Sequence, residues 1–287
     1  MFSYIFLILS IVLSVCKSGI YNKFAKSENP GITEILLFNA LSYGTVTALT
    51  LLPGGFGKIS LITLVCAAAY AADVFSLQAI SIAAMKIGPM SLTTMFVLYG
   101  MIIPSLSGPV FWGEPFGAAQ AVGIALIILS VWLLCEPDGT RNAIGRKWIA
   151  MAAICLLLSG MAGLIEKVHQ MSAARNERIS FIFTAGVIMF ILSLAGKLLL
   201  IRRAKAGISH KGIVLGLVLG VIIFLYSRIN LTLAGTLNSL IYYPVSNGGA
   251  LILSVFVSAA IFREKLSVRK IFGAIIGLFA VVMLSVI

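Results

Sequence analysis

Long uninterrupted runs of apolar residues are the feature that most limits what this chain can fold into. A helix needs about 20 mostly apolar residues to cross the hydrocarbon core of a bilayer. Ten such segments, called spans 1 to 10 below, can be drawn at residues 2–22, 31–53, 58–82, 87–110, 116–135, 147–168, 179–201, 211–233, 236–262 and 267–286. A lipid-facing β-barrel would instead alternate apolar and polar residues over short segments. The sequence therefore predicts an all-α integral membrane protein with ten transmembrane helices.

The composition argues against a soluble protein. Of the 287 residues, 60% are hydrophobic and 10% are charged, and the mean hydropathy is +1.10. A soluble domain carries about 25% charged residues. The net charge of +12 would suggest a nucleic-acid partner in a soluble chain, but these basic residues lie in short loops between apolar runs, as they do beside membrane helices. The lipid bilayer is the expected partner, and nucleic acid is not.

Several chemistries have no motif in this sequence. Cys16, Cys66, Cys135 and Cys155 lie inside apolar runs without CxxC spacing, which indicates neither a disulfide framework nor a zinc site. A phosphate-binding GxxxxGK[ST] loop, an HExxH motif and a GxSxG motif are all missing. We therefore expect no enzyme, no cofactor and no metal. No basic residue precedes the first apolar run, so residues 2–20 are expected to be a retained helix rather than a cleavable signal.

An internal repeat relates the two halves of the chain. The segment 111–134 aligns with 261–284 at a constant offset of 150, which matches Glu114 with Glu264 and Gly123 with Gly273. A weaker match at an offset of 144 pairs Lys23 with Lys167. These matches predict two five-helix repeats, 1–140 and 147–287. Because five is odd, the repeats must insert in opposite orientations, and a substrate site is expected near the midplane between them.

The repeat resembles a known family. Each half ends in a helix, a glutamate, a short loop and a glycine-rich helix, carried by Gly113-Glu114 and by Arg263-Glu264-Lys265-Leu266 followed by GAIIG at 273–277. This arrangement resembles the drug/metabolite transporter superfamily, EamA type, across essentially the whole chain. The resemblance implies a carrier whose spans 1–4 and 6–9 enclose a central cavity, with spans 5 and 10 packed outside. Span 1 lacks the glutamate that small multidrug relatives use for proton coupling and carries Lys17 instead.

Three ionisable residues are singled out inside the predicted spans, where charge is expensive and marks transport pathways or internal pairs. Asp73 is near the middle of span 3, and either takes part in transport or pairs with a buried base. Arg228 in span 8 is its natural partner under the repeat, with snorkelling to the interface as the alternative. Lys17 either binds an anionic substrate, balances Asp73 or snorkels. Glu34 and Glu166, close to span ends, are interpreted as interfacial.

Spans 4 and 9 carry the uncharged polar groups. Tyr99 lies in span 4, and Tyr243 and Asn247 share one face of span 9 beside Pro244. A proline and the glycines that follow it predict irregular backbone, which is tolerated at membrane depth where it lines a cavity. The alternative is hydrogen bonding between helices. We expect Tyr99, Tyr243 and Asn247 to line the substrate pathway.

Together these features favour a secondary transporter of a small polar or amphipathic metabolite, or of a drug, by alternating access. Lys17, Asp73 and Arg228 would supply charge recognition or ion coupling. The alternative is a membrane receptor or accessory subunit that kept the same fold without transporting. The expected location is the cell membrane. Gly273 and Gly277 form a stripe of small residues that serves either internal helix packing or a homodimer contact.

The distribution of basic residues predicts the orientation. Loops after odd-numbered spans contain fourteen Lys and Arg residues, and the other side contains four. The positive-inside rule places the basic loops in the cytoplasm and therefore both termini outside. Ten-helix relatives are expected to keep both termini inside. A reporter that fluoresces only in the cytoplasm, fused after Ile287, should stay dark, whereas bright cells would show that the family expectation holds.

Overall fold

The chain is almost entirely helical. The computed structural model describes residues 2–28, 30–52, 57–87, 90–134, 145–200, 208–262 and 267–285. In this part of the chain there is no strand, and the helices are α1 (Phe2–Glu28), α2 (Ile32–Thr50), α3 (Leu61–Ile87), α4 (Met90–Tyr99), α5 (Ile102–Trp112), α6 (Ala118–Leu134), α7 (Arg146–Met171), α8 (Arg178–Leu200), α9 (His210–Thr236), α10 (Ser239–Phe262) and α11 (Val268–Ser285). The all-α prediction is confirmed. Residues 263–266 of the family-like motif lie outside the described residues.

The helices have the length and composition of membrane spans. Seven stretches of the described chain are long and apolar enough to cross a bilayer, and the shorter α6 is also apolar. Many large hydrophobic side chains remain exposed along these helices, for example Leu61, Val110 and Leu199. Because continuous exposed apolar surface is unfavourable in water, this pattern is compatible with a multi-pass membrane protein.

Span 4 differs from its prediction because it is two helices. α4 ends at Tyr99 and α5 begins at Ile102, and the backbone amides of Gly100 and Met101 bond three residues back instead of four. Pro104 has no N–H to donate to the carbonyl of Gly100, so the α-helical ladder is interrupted one turn before the proline.

The irregular backbone predicted beside Pro244 is absent. α10 runs continuously from Ser239 to Phe262. Pro244 lies in the second turn of the helix. Its missing N–H removes a single backbone hydrogen bond near the start of the helix, so the rest of the helix is unaffected. The interruption predicted for span 9 is therefore found in span 4.

The described chain forms two compact units. The first unit consists of Met1–Val12, Ser76–Lys167 and Thr236–Ile287, and the second of Leu13–Phe75 and Val168–Gly235. In the first unit α6 packs on α11, and α10 packs on α5, α6 and α11; in the second unit α2 packs on α8. Each unit draws helices from both predicted repeats, so these groupings follow helix packing rather than chain order. The division into repeats 1–140 and 147–287 stays a prediction.

Glycines allow close helix contacts inside each unit. In the first unit a Cβ on Gly160 would lie 2.7 Å from the carbonyl oxygen of Gly100. In the second unit a Cβ on Gly220 of α9 would lie 2.5 Å from the carbonyl oxygen of Ser42 in α2. Ser42 reinforces that contact, because its hydroxyl donates to the carbonyl of Gly216 at 3.0 Å. Small residues at these crossings bring the backbones together, as is common in membrane helices.

The glycine stripe of α11 packs internally. A side chain at Gly273 would meet Leu133 and Leu134 of α6, and one at Gly277 would meet Ser130 and Ile252. The hydroxyl of Ser130 also donates to the carbonyl of Gly273 at 2.7 Å. This stripe is therefore occupied within the first unit, and a homodimer stays a prediction that needs another surface.

Gly220→Ala should destabilise the protein by about 1–3 kcal/mol, because the added methyl group meets rigid backbone of α2. Gly19→Ala in α1 is the matched control, since no atom lies within 4 Å of its added methyl and alanine favours a helix. Thermal unfolding in detergent should show a lower midpoint for Gly220→Ala alone. Equal midpoints for the two variants would show that α2 and α9 are not in close contact.

Candidate functional site

Asp73 is the clearest unsatisfied polar group in the second unit. It lies about 18 Å along α3 from the first residue of that helix, at 1.5 Å per residue. Its side chain is only 9% exposed, and its Oδ2 atom has no hydrogen-bond partner. A buried carboxylate oxygen without a hydrogen-bond partner is costly, because a charge inside a protein is stabilised by the donors and counter-ions around it. Such a group has capacity to bind a proton or a cationic group of a ligand.

The alternative that Asp73 pairs with a base is not found among the described residues. The ammonium group of Lys17 lies 4.2 Å from the ring centroid of Tyr226, and the guanidinium of Arg228 lies 5.7 Å from that of Phe224. Within the described residues neither cation forms an ion pair with Asp73. Both basic side chains lie over aromatic rings of α9, whose faces attract cations without supplying a carboxylate. Arg228 is exposed, as the snorkelling alternative for it implies.

The three polar residues predicted to line the pathway belong to the first unit and bond to backbone. The hydroxyl of Tyr99 donates to the carbonyl of Ile128 at 3.0 Å, and that of Tyr243 donates to the carbonyl of Gly163 at 2.8 Å. The side-chain amide of Asn247 donates to the carbonyl of Tyr243 at 2.9 Å. Their first role is to join or stiffen helices. A role in transport stays a prediction for all three.

A buried ion pair in the first unit was missed from the sequence. The ammonium of Lys167 lies 2.7 Å from Oε1 of Glu114, and Lys167 is fully buried. The neighbouring Glu166 is also buried within the protein, and its interpretation as interfacial stays a prediction. The sequence did hold a signal, since the repeat alignment had singled out both Glu114 and Lys167. Nothing in the alignment indicated that they meet.

A tight turn positions Glu114. Gly113 ends α5 with φ of +64°, a left-handed conformation that glycine adopts without strain, and the amide of Glu114 then donates back to the carbonyl of Gly108. The carboxylate of Glu114 accepts the backbone N–H of Ser239 at 2.6 Å and its hydroxyl at 3.3 Å. Ser239 is the first residue of α10, so Glu114 caps that helix as well as pairing with Lys167.

The second unit has an equivalent capping carboxylate, Glu177, just before α8. Its Oε2 accepts the backbone N–H of Ser60 at 2.8 Å and the hydroxyl of Thr63 at 2.5 Å, at the start of α3. The hydrogen bond from Thr63 and then that from Ser60 lower the pKa of Glu177, because they stabilise its charged form. The carboxylate therefore stays ionised at neutral pH.

A polar network continues from Thr63 through the ends of three further helices. Nε2 of His169 lies 3.1 Å from the hydroxyl of Thr63, and Nδ1 of His169 lies 2.9 Å from the side-chain nitrogen of Gln170. The oxygen of Gln170 accepts Nε–H of Arg178 at 2.8 Å, and Nη1 of Arg178 donates to Thr232 at 3.2 Å. The network joins α3, α7, α8 and α9. No short sequence motif predicts this network, because its members are spread over 170 residues of the chain.

An open cleft of about 290 Å³ lies beside Glu177, lined by Gly57, Lys58, Asn176, Glu177, Ile179 and Ser180. It lies where α3 and α8 begin. The described residues contain no group of three or more His, Cys, Asp or Glu side chains able to hold a metal ion. Cys16, Cys66 and Cys155 are free thiols.

Comparison with known proteins shows a shared fold and nothing about activity. No protein-family profile and no curated protein matches the sequence. Among solved structures 28 chains match. One of them, described only as "Crystal structure of protein", has a TM-score of 0.78 at 12% identity over 99% of this chain and 96% of its own. A likeness at this identity indicates a shared architecture and assigns no activity.

Lys167→Met should destabilise the protein by about 3–5 kcal/mol, because it leaves the Glu114 carboxylate without its buried partner. Lys58→Met, at an exposed lysine, is the matched control and should change stability by less than about 0.5 kcal/mol. Adding Glu114→Gln to Lys167→Met should restore part of the loss, since no unpaired charge remains. Unfolding midpoints in detergent measure all three, and wild-type stability of Lys167→Met would contradict the assignment.

Proposed function

We propose that the chain is a secondary carrier in the cell membrane, moving a small polar or amphipathic metabolite, or a drug, by alternating access between two inverted five-helix repeats. The proposal includes membership of the drug/metabolite transporter superfamily, EamA type, and both termini outside. It includes no enzymatic step and no cofactor.

Asp73 carries this proposal. A carboxylate at the centre of a spanning helix costs free energy and persists when a function or a partner offsets that cost. In this chain the two candidate partners that the sequence offered, Lys17 and Arg228, lie over aromatic rings instead. A protein that only needed stable helix packing would gain by pairing or replacing such a group. An unpaired acidic group at membrane depth suits a carrier, which must bind and release a proton or a charged ligand there.

Lys17 and Arg228 are proposed to recognise negative charge on the substrate. Each has an aromatic contact in place of a carboxylate, so each remains available to an anionic group. Tyr99, Tyr243 and Asn247 are proposed to shape the pathway. Since their polar groups already bond to backbone carbonyls, we expect them to contribute ring surface and helix position rather than hydrogen bonds to the substrate.

One observation favours a second candidate, a receptor or accessory subunit that does not transport. Polar side chains that bond to the backbone are expected in a dry, static interior. Tyr99, Tyr243 and Asn247 fit that description. Asp73 does not, and for that reason the carrier is preferred.

Asp73→Asn separates the two candidates. The change keeps the shape of the side chain and removes its charge, so a carrier should lose most of its transport while the protein still reaches the membrane. Metabolites would be profiled without targeting, inside and outside cells that express the wild-type or the variant chain at equal membrane abundance. Glu34→Gln, at a half-exposed glutamate in the first turn of α2, is the matched control.

The transport proposal predicts that Glu34→Gln keeps the wild-type metabolite profile and that Asp73→Asn matches cells lacking the protein. A profile that does not differ between wild-type cells and cells lacking the protein would favour the receptor or accessory subunit. Wild-type transport by Asp73→Asn would remove Asp73 from the mechanism.

A further inference from the structure

The hydrogen bonds around His169 all run in one direction. Arg178 has no acceptor, so it donates to the oxygen of Gln170, and the amide nitrogen of Gln170 then donates to Nδ1 of His169. The hydroxyl of Thr63 donates to the carboxylate of Glu177 and is therefore free to accept from Nε2–H of His169. This series of hydrogen bonds runs from the guanidinium of Arg178 to the carboxylate of Glu177. It requires a neutral imidazole that carries its proton on Nε2.

Water has no access to the middle of this network. His169 and Thr63 are 0% exposed, and Gln170 is 3% exposed. A buried donor that loses its acceptor finds no replacement, at a cost of about 1–3 kcal/mol. The network is therefore either completely bonded or strongly destabilised.

Protonation of His169 at Nδ1 cannot be accommodated by a local rearrangement. The new N–H would face the amide NH₂ of Gln170, and two donors cannot bond to each other. Turning the amide of Gln170 around would satisfy His169 but would point its NH₂ at Nε–H of Arg178. Either orientation leaves one donor unpaired inside the unit.

We propose that His169 is a proton-binding switch that holds the adjoining ends of α3, α7, α8 and α9 together when it is neutral and releases them when it binds a proton. The inference concerns packing within the second unit and holds whether or not the chain transports a substrate.

The charged groups around His169 are Glu177, reached through Thr63, and Arg178, reached through Gln170. From α8 the ring of Phe181 packs on the imidazole with centroids 4.7 Å apart, and on α9 the network ends at Thr232, which donates to the carbonyl of Arg228. Because its hydrogen bonds lower the pKa of Glu177, this carboxylate stays charged over the range in which a histidine titrates.

Hydrogen–deuterium exchange of the full-length protein in nanodiscs tests the switch. Peptides covering 60–64 and 168–182 would be compared at about pH 7.5 and about pH 5.5, on either side of the histidine range, after correction for intrinsic exchange rates. Wild-type protein should exchange roughly tenfold faster at the acidic pH, the size expected for a lost buried hydrogen bond. Equal corrected rates at the two pH values would overturn the proposal.

Three variants assign the response to His169. His169→Gln supplies one donor and one acceptor without titrating, so it should stay protected at both pH values. Gln170→Glu offers oxygens to Arg178 and to a protonated His169, so it should remain protected at the acidic pH. His210→Gln, which removes the other histidine of the chain, should respond like the wild type.

A wild-type pH response in His169→Gln, or its loss in His210→Gln, would assign the switch elsewhere. If His169→Gln fails to fold, Gln170→Glu decides. Protection of Gln170→Glu at acidic pH supports the proposal, and wild-type loss of protection in that variant overturns it.

Discussion

The helices of this protein are long and apolar, compatible with a bilayer whose hydrocarbon core offers no hydrogen bonds, so buried polar groups depend on partners within the protein. Helices satisfy their own backbone along most of their length, but the first amides of each helix need other partners. Two carboxylates meet this need within their respective units. Glu114 follows α5 and caps α10, and Glu177 precedes α8 and caps α3. Each therefore stabilises a helix other than the one it adjoins, and each connects elements that are distant in the chain.

These two caps differ in how their charge is balanced. Glu114 has a buried lysine at 2.7 Å, so its capping role comes with a direct ion pair. Among the described residues Glu177 has no such lysine, and Thr63, His169 and Gln170 link it to its positive counterpart, Arg178. The direct pair contains no histidine. A relay through an imidazole has a titratable group in its middle. One unit thus has a capping carboxylate in a direct ion pair, and the other has a capping carboxylate joined to its counterpart by a relay that we propose a proton can break.

Asp73 is an exception to this pattern of bonded polar groups. Nearly every buried polar side chain discussed above bonds to backbone, to a hydroxyl or to an opposite charge, whereas Asp73 has an oxygen without a partner. Lys17 and Arg228, in the same unit, rest on aromatic rings. An acidic group inside an apolar helix is expensive when one of its oxygens has no partner, and it contributes little to packing. For that reason the proposed transport role depends on Asp73 rather than on the tyrosines and the asparagine of the first unit, which are already bonded.

The sequence by itself determined the helices, because the length of each apolar run and the absence of water in lipid leave few other structures for it. It also determined which residues were chemically unusual, since Asp73, Lys17 and Arg228 stand out against apolar neighbours. Only the tertiary structure decided the partners. Asp73 pairs with neither base, Lys167 meets Glu114, and the helix interruption falls at Gly100 instead of Pro244. His169 gained its significance from bonds to residues on other helices. Helix formation depends on local composition, whereas the direction and completeness of a hydrogen-bond network depend on how helices pack, and that information is distributed over the whole chain.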